Sequence, residues 1–393
     1  MGKSVFRHVS VKGIAMSVPT DRIELLPEME KWGLPAKKAR RLANQIGMNA
    51  RHVVDSNTTA TDLALDAAKR LMRDMKIAPE SLDACFLVTQ SPDWRMPASC
   101  QRVHKELGLP TTTPTFDVNQ GCAGYVYGLW LAHSMVESGA CRRVLMLAAD
   151  ASIQKNPQNR ITAPVFGDAG SATLLEYSEN AAPAYFNMCA DGRGYDLLIA
   201  PAGGAKIPFL YDEKKNADLI KPFMLGDNVV HLVDVFMDGN AIFRFTMDEV
   251  PPHIRETMRF AGITEADIDG LVLHQANKQI IENIAWECEI PLEKAPWHTF
   301  SEYGNQTICS IPGVLNDVFR EKLASHARML MSGFGVGLAW GSCVMEFDGV
   351  YTSGMADYVP SEDCDTRDKL IEKFKEIIQR GTRDQLENTR SEE

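Results

Sequence analysis

The sequence predicts a layered α/β protein built from two related halves, and three observations lead to that class. Short apolar runs that read as strands alternate with helical patterns along most of the chain. Two segments recur in the same order in each half. The chain has 393 residues, 45% hydrophobic and 24% charged, enough to bury a large core as two domains or one doubled domain.

Thr61 to Met75 spaces its apolar residues three and four apart and predicts a helix. Ala84 to Thr89 (ACFLVT) predicts a buried strand, as do Thr115 to Val118 and Val144 to Ala149 (VLMLAA). Ala123 to Ser138 predicts the next helix. In the second half, Leu271 to Leu273 and Leu338 to Phe347 read as strands and Ile311 to Leu323 as a helix. The run DACFLVTQ from Asp83 is answered by DGLVLHQ from Asp269, and the Gly-Ser pair of AGSATL from Ala169 by that of WGSCVM from Trp340. An internal duplication is expected, with a period of about half the chain, too long for a solenoid. Chance similarity between short apolar strands is the competing account.

These observations divide the chain into an N-terminal half (1–178), a C-terminal half (179–350) and a charged extension (351–393). A covering insertion is expected over about 191–238, where Gly, Pro and charge are enriched. In the extension Leu370, Phe374, Ile377 and Ile378 recur at helical spacing. That helix is expected to pack on the body or on a partner subunit, a loosely attached solvated helix being the alternative.

The formal net charge of -11 argues against a nucleic-acid partner, which requires a concentrated basic face. No segment approaches the roughly 20 apolar residues that span a bilayer, and the opening MGKSVFRHVSVKG has no signal-peptide core. Phe6 also rules out a myristoylation match. A cytoplasmic protein without membrane contact is expected. Nine cysteines without a Cys-x-x-Cys pair make neither a disulfide framework nor a zinc site, so no metal or cofactor is expected.

Cys122 stands out by context. It lies in NQGCAGY, between a strand and a helix, where free amide donors and the helix dipole favour a thiolate. Gly121 and Gly124 permit a tight turn and close approach by a substrate. A buried, inert thiol is the alternative. His274 ends a strand in LHQAN, and Asn305 lies in YGNQT ahead of a helix. An acyl-transferring cysteine needs a group that manages protons and donors for the oxygen that becomes negative, and His and Asn supply both. A structural hydrogen-bonding role is the alternative for His274. The glycine run SGFGVGLAWGS fails the dinucleotide-loop spacing and precedes a strand, so it reads as a turn beneath the site.

NQGCAGY, LHQAN, YGNQT and SGFGVGLAWGS, in this order, resemble the motifs of the β-ketoacyl-acyl-carrier-protein synthase III family of thiolase-fold condensing enzymes. FGDAGSATLLE and DGRGYDLLIAPAGG add to the resemblance, which covers about residues 5 to 350. It implies a thiolase-like fold of two duplicated halves in α-β-α-β-α layers, and a homodimer. It makes Cys122 the nucleophile that takes an acyl group from a thioester. His274 and Asn305 would then hold the thioester oxygen of a malonyl unit as carbon dioxide leaves, and the main-chain amides of Cys122 and Val336 would hold the oxyanion. Val336 stands where the family usually has glycine.

The resemblance places Gly239, Phe243, Phe334 and Gln45 at substrate-binding positions, with Gln45 where an arginine is expected and Trp32 as a candidate to stack on adenine. Met96 matches the residue that crosses the dimer interface to close the partner's acyl pocket, and its flexible side chain predicts groups longer or bulkier than acetyl. Arg244 and Lys278 are the implied carrier-docking cations, while Gln279 and Trp286 replace a usual arginine and lysine. These departures point to a specialised member and leave open whether coenzyme A or a carrier protein delivers the acyl group. Three activities follow. The first is decarboxylative condensation of an acyl thioester with a malonyl-acyl-carrier protein. The second is acyl transfer to an alcohol or amine without decarboxylation. The third is an auxiliary, non-catalytic subunit of a two-chain synthase, against which the intact Cys, His, Asn set argues.

Overall fold

The computed structural model describes residues 2–151, 160, 164–210, 213–225, 228–360 and 366–391. Its centre is a pair of sheets with the same plan. In the first, Ala84–Val88 runs parallel to Arg143–Asp150; Ala169–Tyr177 and Val9–Pro19 follow in antiparallel order. In the second, Gly270–Leu273 runs parallel to His326–Gly335; Ala339–Asp348 and Ala184–Ala190 follow antiparallel. The echo in the sequence is therefore an echo in topology. The first sheet adds Thr115–Val118, parallel to Ala84–Val88, at its edge.

Strand alternation explains why these segments are apolar throughout. Phe86 faces one core and its neighbours Cys85 and Leu87 face another, so both sides of the strand are buried. The helix Ala60–Met75 covers the outer face of the first sheet, set by a capping box of Thr59 and Asp62; its Leu63 and Leu71 pack with Leu87 and Leu145. The helices Gly124–Glu137 and Ser310–Asp317 lie between the sheets, where Leu129 and Val314 join Met146 of one sheet and Met329 of the other. The helices Gly239–Ala261 and Lys278–Glu287 cover the far face through Ile254, Ile281 and Ile284. Five layers result. Each fully buried Leu or Ile contributes roughly 1.5–3 kcal/mol by leaving water.

Three details depart from the sequence reading. The helix expected over 311–323 is two pieces, Ser310–Asp317 and Arg320–Ser325. The chain bends at Phe319, whose ring packs so closely on Gly270 that a Cβ there would lie 2.4 Å from it. Tertiary packing overrides helical periodicity at that point. The strand Lys3–Phe6 joins the second sheet through Ala184–Ala190, while Tyr351–Thr352 and Asp357–Tyr358 join the first through Val9–Pro19. Sheet membership thus crosses the expected divisions at 178 and 350.

The described residues of 191–238 form small pieces: a 3-10 turn, Gly192–Gly194, a helix, Glu213–Ile220, and two short antiparallel pairings, Leu198–Ile199 with Phe236–Met237 and Phe223–Leu225 with Asn228–Val230. The helix Arg367–Ser391 sets the Phe374 ring edge-on against Trp94, 5.6 Å between centroids. Among the described residues no helix is long and apolar enough to cross a membrane.

Candidate active site

Cys122 lies just ahead of the helix Gly124–Glu137, at the end of the first sheet's edge strand. Two glycines bring the second half onto it. A Cβ on Gly121 would fall 2.3 Å from both the Gln90 side-chain oxygen and a Val336 methyl. Gly335, at φ +154°, lies against the cysteine so tightly that a Cβ there would meet Cys122 Sγ at 3.1 Å. The main-chain N–H groups of Val336 and of Cys122 itself are near enough to favour the thiolate.

His274 continues the ladder of its strand, donating its main-chain N–H to Ser332 at 2.9 Å. That register sets its ring edge-on to Phe334, 5.6 Å between centroids. Phe334, Gly335 and Val336 are consecutive, so one segment touches His274, backs Cys122 and brings an amide near the sulfur. Asn305 is held by its main chain between Val165 and Gly167, and its Oδ1 accepts the Thr307 N–H at 2.9 Å. That contact leaves Nδ2 as the end of the amide available to donate. Thr307 itself sits at φ 48°, a conformation that costs a β-branched residue on the order of 1–3 kcal/mol. Its hydroxyl donates to the buried Asp150 at 2.8 Å.

The electrostatics differ from the sequence expectation in one respect. Burial pushes the Cys122 thiol up to about 12, the Asp150 charge adds to this, and the two amides only partly oppose it. The helix N-terminus does not win, because at 8% exposure the thiolate loses most of its hydration. His274 is driven down to about 4 by burial, with the Thr307 main chain acting the other way. Its Nδ1 makes no hydrogen bond of normal geometry among the described residues. Near neutral pH the resting site therefore pairs a thiol with an uncharged imidazole. Iodoacetamide labelling of Cys122 in the free protein is expected to be slow at pH 7 and to keep rising above pH 9, as measured by peptide mass spectrometry. Fast labelling with a plateau below pH 7 would contradict this.

The remaining expected site residues are dispersed. Phe243 shares an apolar cluster with Phe334, Leu338 and Trp340, which makes a wall beside His274. Gly239 is exposed at the start of its helix, and Gln45 is exposed near the end of another. Met96 is 83% exposed and closes nothing within its own chain. Arg244 is exposed and without an ion pair among the described residues. Lys278 is engaged locally, 4.5 Å over the Trp297 ring and 3.8 Å from Glu282. Gln279 and Trp286 are exposed.

Arg160 escaped the sequence reading, as did Asp150 and Thr307. Arg160 places its guanidinium 5.9 Å from the Trp32 ring centroid and donates to the Trp32 carbonyl at 3.2 Å. Nothing in the sequence spacing joins positions 32 and 160. A groove of about 870 Å³ between Trp94, Arg102 and the helix bearing Phe374 is lined by none of the residues around Cys122.

Two α/β halves whose sheets share one topology define a thiolase-fold protein. The sequence matches the family described as 3-oxoacyl-(acyl-carrier-protein) synthase III over residues 116–192 and its C-terminal part over 258–347. A Campylobacter jejuni protein named for that family is 34% identical over 91% of this chain and 99% of its own length. A β-ketoacyl-(acyl-carrier-protein) synthase III of Streptomyces coelicolor is 33% identical over 77% of this chain and 88% of its own. The crystal structure of a 3-oxoacyl-(acyl-carrier-protein) synthase from Burkholderia xenovorans superposes with a TM-score of 0.82 at 31% identity, covering 91% of this chain and 99% of that one. The chain belongs to the 3-oxoacyl-(acyl-carrier-protein) synthase III family.

Proposed function

We propose that the protein is a decarboxylating condensing enzyme in fatty-acid or polyketide chain building. The observation that carries this reading is that one segment, Phe334 to Gly335, lies against both His274 and Cys122, while Thr307 bonds Asn305 and its main chain acts on His274. Cys122 attacks an acyl thioester, its proton leaving with the departing thiol, and the acyl group passes to the sulfur. A malonyl-carrier thioester then enters. Its terminal carboxylate leaves as carbon dioxide while His274 and Asn305 Nδ2 donate to the enolate oxygen. The carbanion attacks the acyl carbonyl, whose oxyanion lies on the Cys122 and Val336 amides. Collapse expels the Cys122 sulfur, which recovers a proton, and releases a β-ketoacyl carrier.

Trp32 and Arg160 offer an aromatic face and a planar cation to a flat base, which supports coenzyme A as a donor. Gln45, near the end of the helix Ala36–Ile46, and Gly239 are assigned to the mouth of the same substrate channel. Phe243 and Phe334 are assigned to its apolar wall. The sheet-edge strand Thr115–Val118 and the protruding Met96 suit a second copy of the chain, with Met96 reaching the partner's acyl pocket. The enzyme is assigned to the cytoplasm.

Arg244, assisted by Lys278, is assigned to carrier docking. Arg244→Glu is expected to raise KM for the malonyl carrier roughly tenfold at low salt with kcat nearly unchanged, and the difference should shrink as salt rises. Steady-state kinetics at two ionic strengths measure this. The reaction itself is tested by adding malonyl-carrier protein to the acylated enzyme. Carbon dioxide together with a β-ketoacyl carrier supports condensation. Transfer of the acyl group to an alcohol or amine, with malonyl intact, would replace it by simple acyl transfer.

A further inference from the structure

We infer that Asp150 and Thr307 are a positioning pair that aims the Asn305 amide at the reacting oxygen and ties it to the loop behind Cys122; this rests on the roles proposed above. Asp150 ends the strand Arg143–Asp150 and is 1% exposed. Its Oδ1 accepts from the Gln90 N–H at 2.8 Å, the Ser91 hydroxyl at 3.0 Å and the Thr89 hydroxyl at 3.3 Å. Its Oδ2 accepts from the Thr307 hydroxyl at 2.8 Å. No cation pairs with it among the described residues, so the charge is held by donors alone, an arrangement that is costly unless complete.

Every group hydrogen-bonded to this carboxyl donates. Only a carboxylate offers acceptors on both oxygens, whereas an amide would turn an N–H toward one of the donors. The Thr307 hydroxyl is thereby fixed as a donor to Asp150 while its N–H is spent on Asn305 Oδ1. Thr307 adopts φ 48° with its hydroxyl and its N–H both fixed, and a β-branched residue stays there only where its surroundings over-determine it. The chain of contacts therefore runs from Asp150 through Thr307 to the orientation of Asn305. The same carboxylate also holds the Gln90 main chain, and the Gln90 side chain backs Gly121 beside the cysteine. Asp150 and Thr307 lie 157 residues apart, so the pair joins the two halves of the site.

The carboxylate also acts by charge. Cys122 and Cys309 are the titratable groups raised by it. The other groups around it, Thr89, Gln90, Ser91 and Thr307, are neutral, with uncharged His274 beyond Thr307. Two functional signatures follow, one at Asn305 and one at Cys122.

The test uses the full-length protein and its Thr307→Val, Thr307→Ser and Asp150→Asn variants. Acylation of Cys122 by acetyl- and octanoyl-coenzyme A is followed by intact mass, and carbon dioxide release from malonyl-acyl-carrier protein is measured separately. T307V is expected to slow carbon dioxide release about tenfold to a hundredfold through misplacement of Asn305, with acylation much less affected; T307S, which keeps the hydroxyl, should recover most of the loss. D150N is expected to move the pH profile of Cys122 alkylation by iodoacetamide to lower pH, because the thiolate no longer faces a negative charge. Equal slowing of both half-reactions in T307V, or wild-type rates, would overturn the positioning role. If T307V does not fold, D150N and T307S decide by the half-reactions: carbon dioxide release slowed selectively in D150N, with T307S near wild type, supports the inference, and equal slowing of both half-reactions in D150N, or of neither, sinks it. Absence of any acyl group on wild-type Cys122 would instead remove the catalytic reading on which the inference stands.

Discussion

Cys122→Ser is expected to abolish the acyl adduct and lower turnover by roughly a thousandfold or more, while leaving fold and carrier binding intact. The substitution exchanges sulfur for oxygen at an 8% exposed position, so packing changes little. The reactivity changes greatly. A thiol raised to about 12 in this site can still ionise as the donor thioester arrives and the Val336 and Cys122 amides take up the developing charge. A serine hydroxyl is far less acidic, and the neutral His274, lowered to about 4, is too weak a base to compensate. Intact mass after incubation with an acyl thioester measures the adduct, and circular dichroism verifies the fold. A C122S protein that still condensed at a tenth of the wild-type rate or better would exclude Cys122 as the nucleophile.

Asn305→Asp should uncouple the two half-reactions. The carboxylate keeps an acceptor for the Thr307 N–H, so the local structure held by that 2.9 Å bond survives. The Nδ2 donor is lost, and a negative charge faces the enolate. Carbon dioxide release from a malonyl carrier is expected to fall about a hundredfold to a thousandfold, as for loss of one oxyanion donor, while the first acylation proceeds. His274→Ala should produce the same split. Single-turnover acylation measured beside carbon dioxide release distinguishes this outcome from general damage, in which both would fall together.

The apolar framework was legible because burial on both faces leaves an uninterrupted apolar run. Thr115 to Val118 is read from sequence with the boundaries the structure has, and 84–88, 143–150 and 270–273 differ by a residue or so. The duplication was legible as two short echoes because matched strands occupy matched places in two sheets of one topology. Phe319 was not, since its turn depends on packing against Gly270 far earlier in the chain.

The same division holds for the site. Cys122, His274 and Asn305 lie at ends of elements, where short motifs mark them; in the structure Phe334 and Gly335 lie against His274 and Cys122, and Thr307 bonds Asn305. Asp150 and Thr307 carry no local signature, because their meaning is a contact across 157 residues. Arg160 likewise acquires a role only beside Trp32. The acidity of Cys122 was misjudged from sequence because the helix N-terminus is a local feature, while the burial that outweighs it is made by the Gly335 turn of the other half.

The measurement that tests the central claim most directly is peptide mapping of the protein after exposure to a panel of acyl-coenzyme A and acyl-carrier thioesters. A single acyl adduct on Cys122 with at least one donor, lost again when malonyl-carrier protein is added, is the predicted result. An adduct on another of the nine cysteines, or none on Cys122 with any donor, would contradict it.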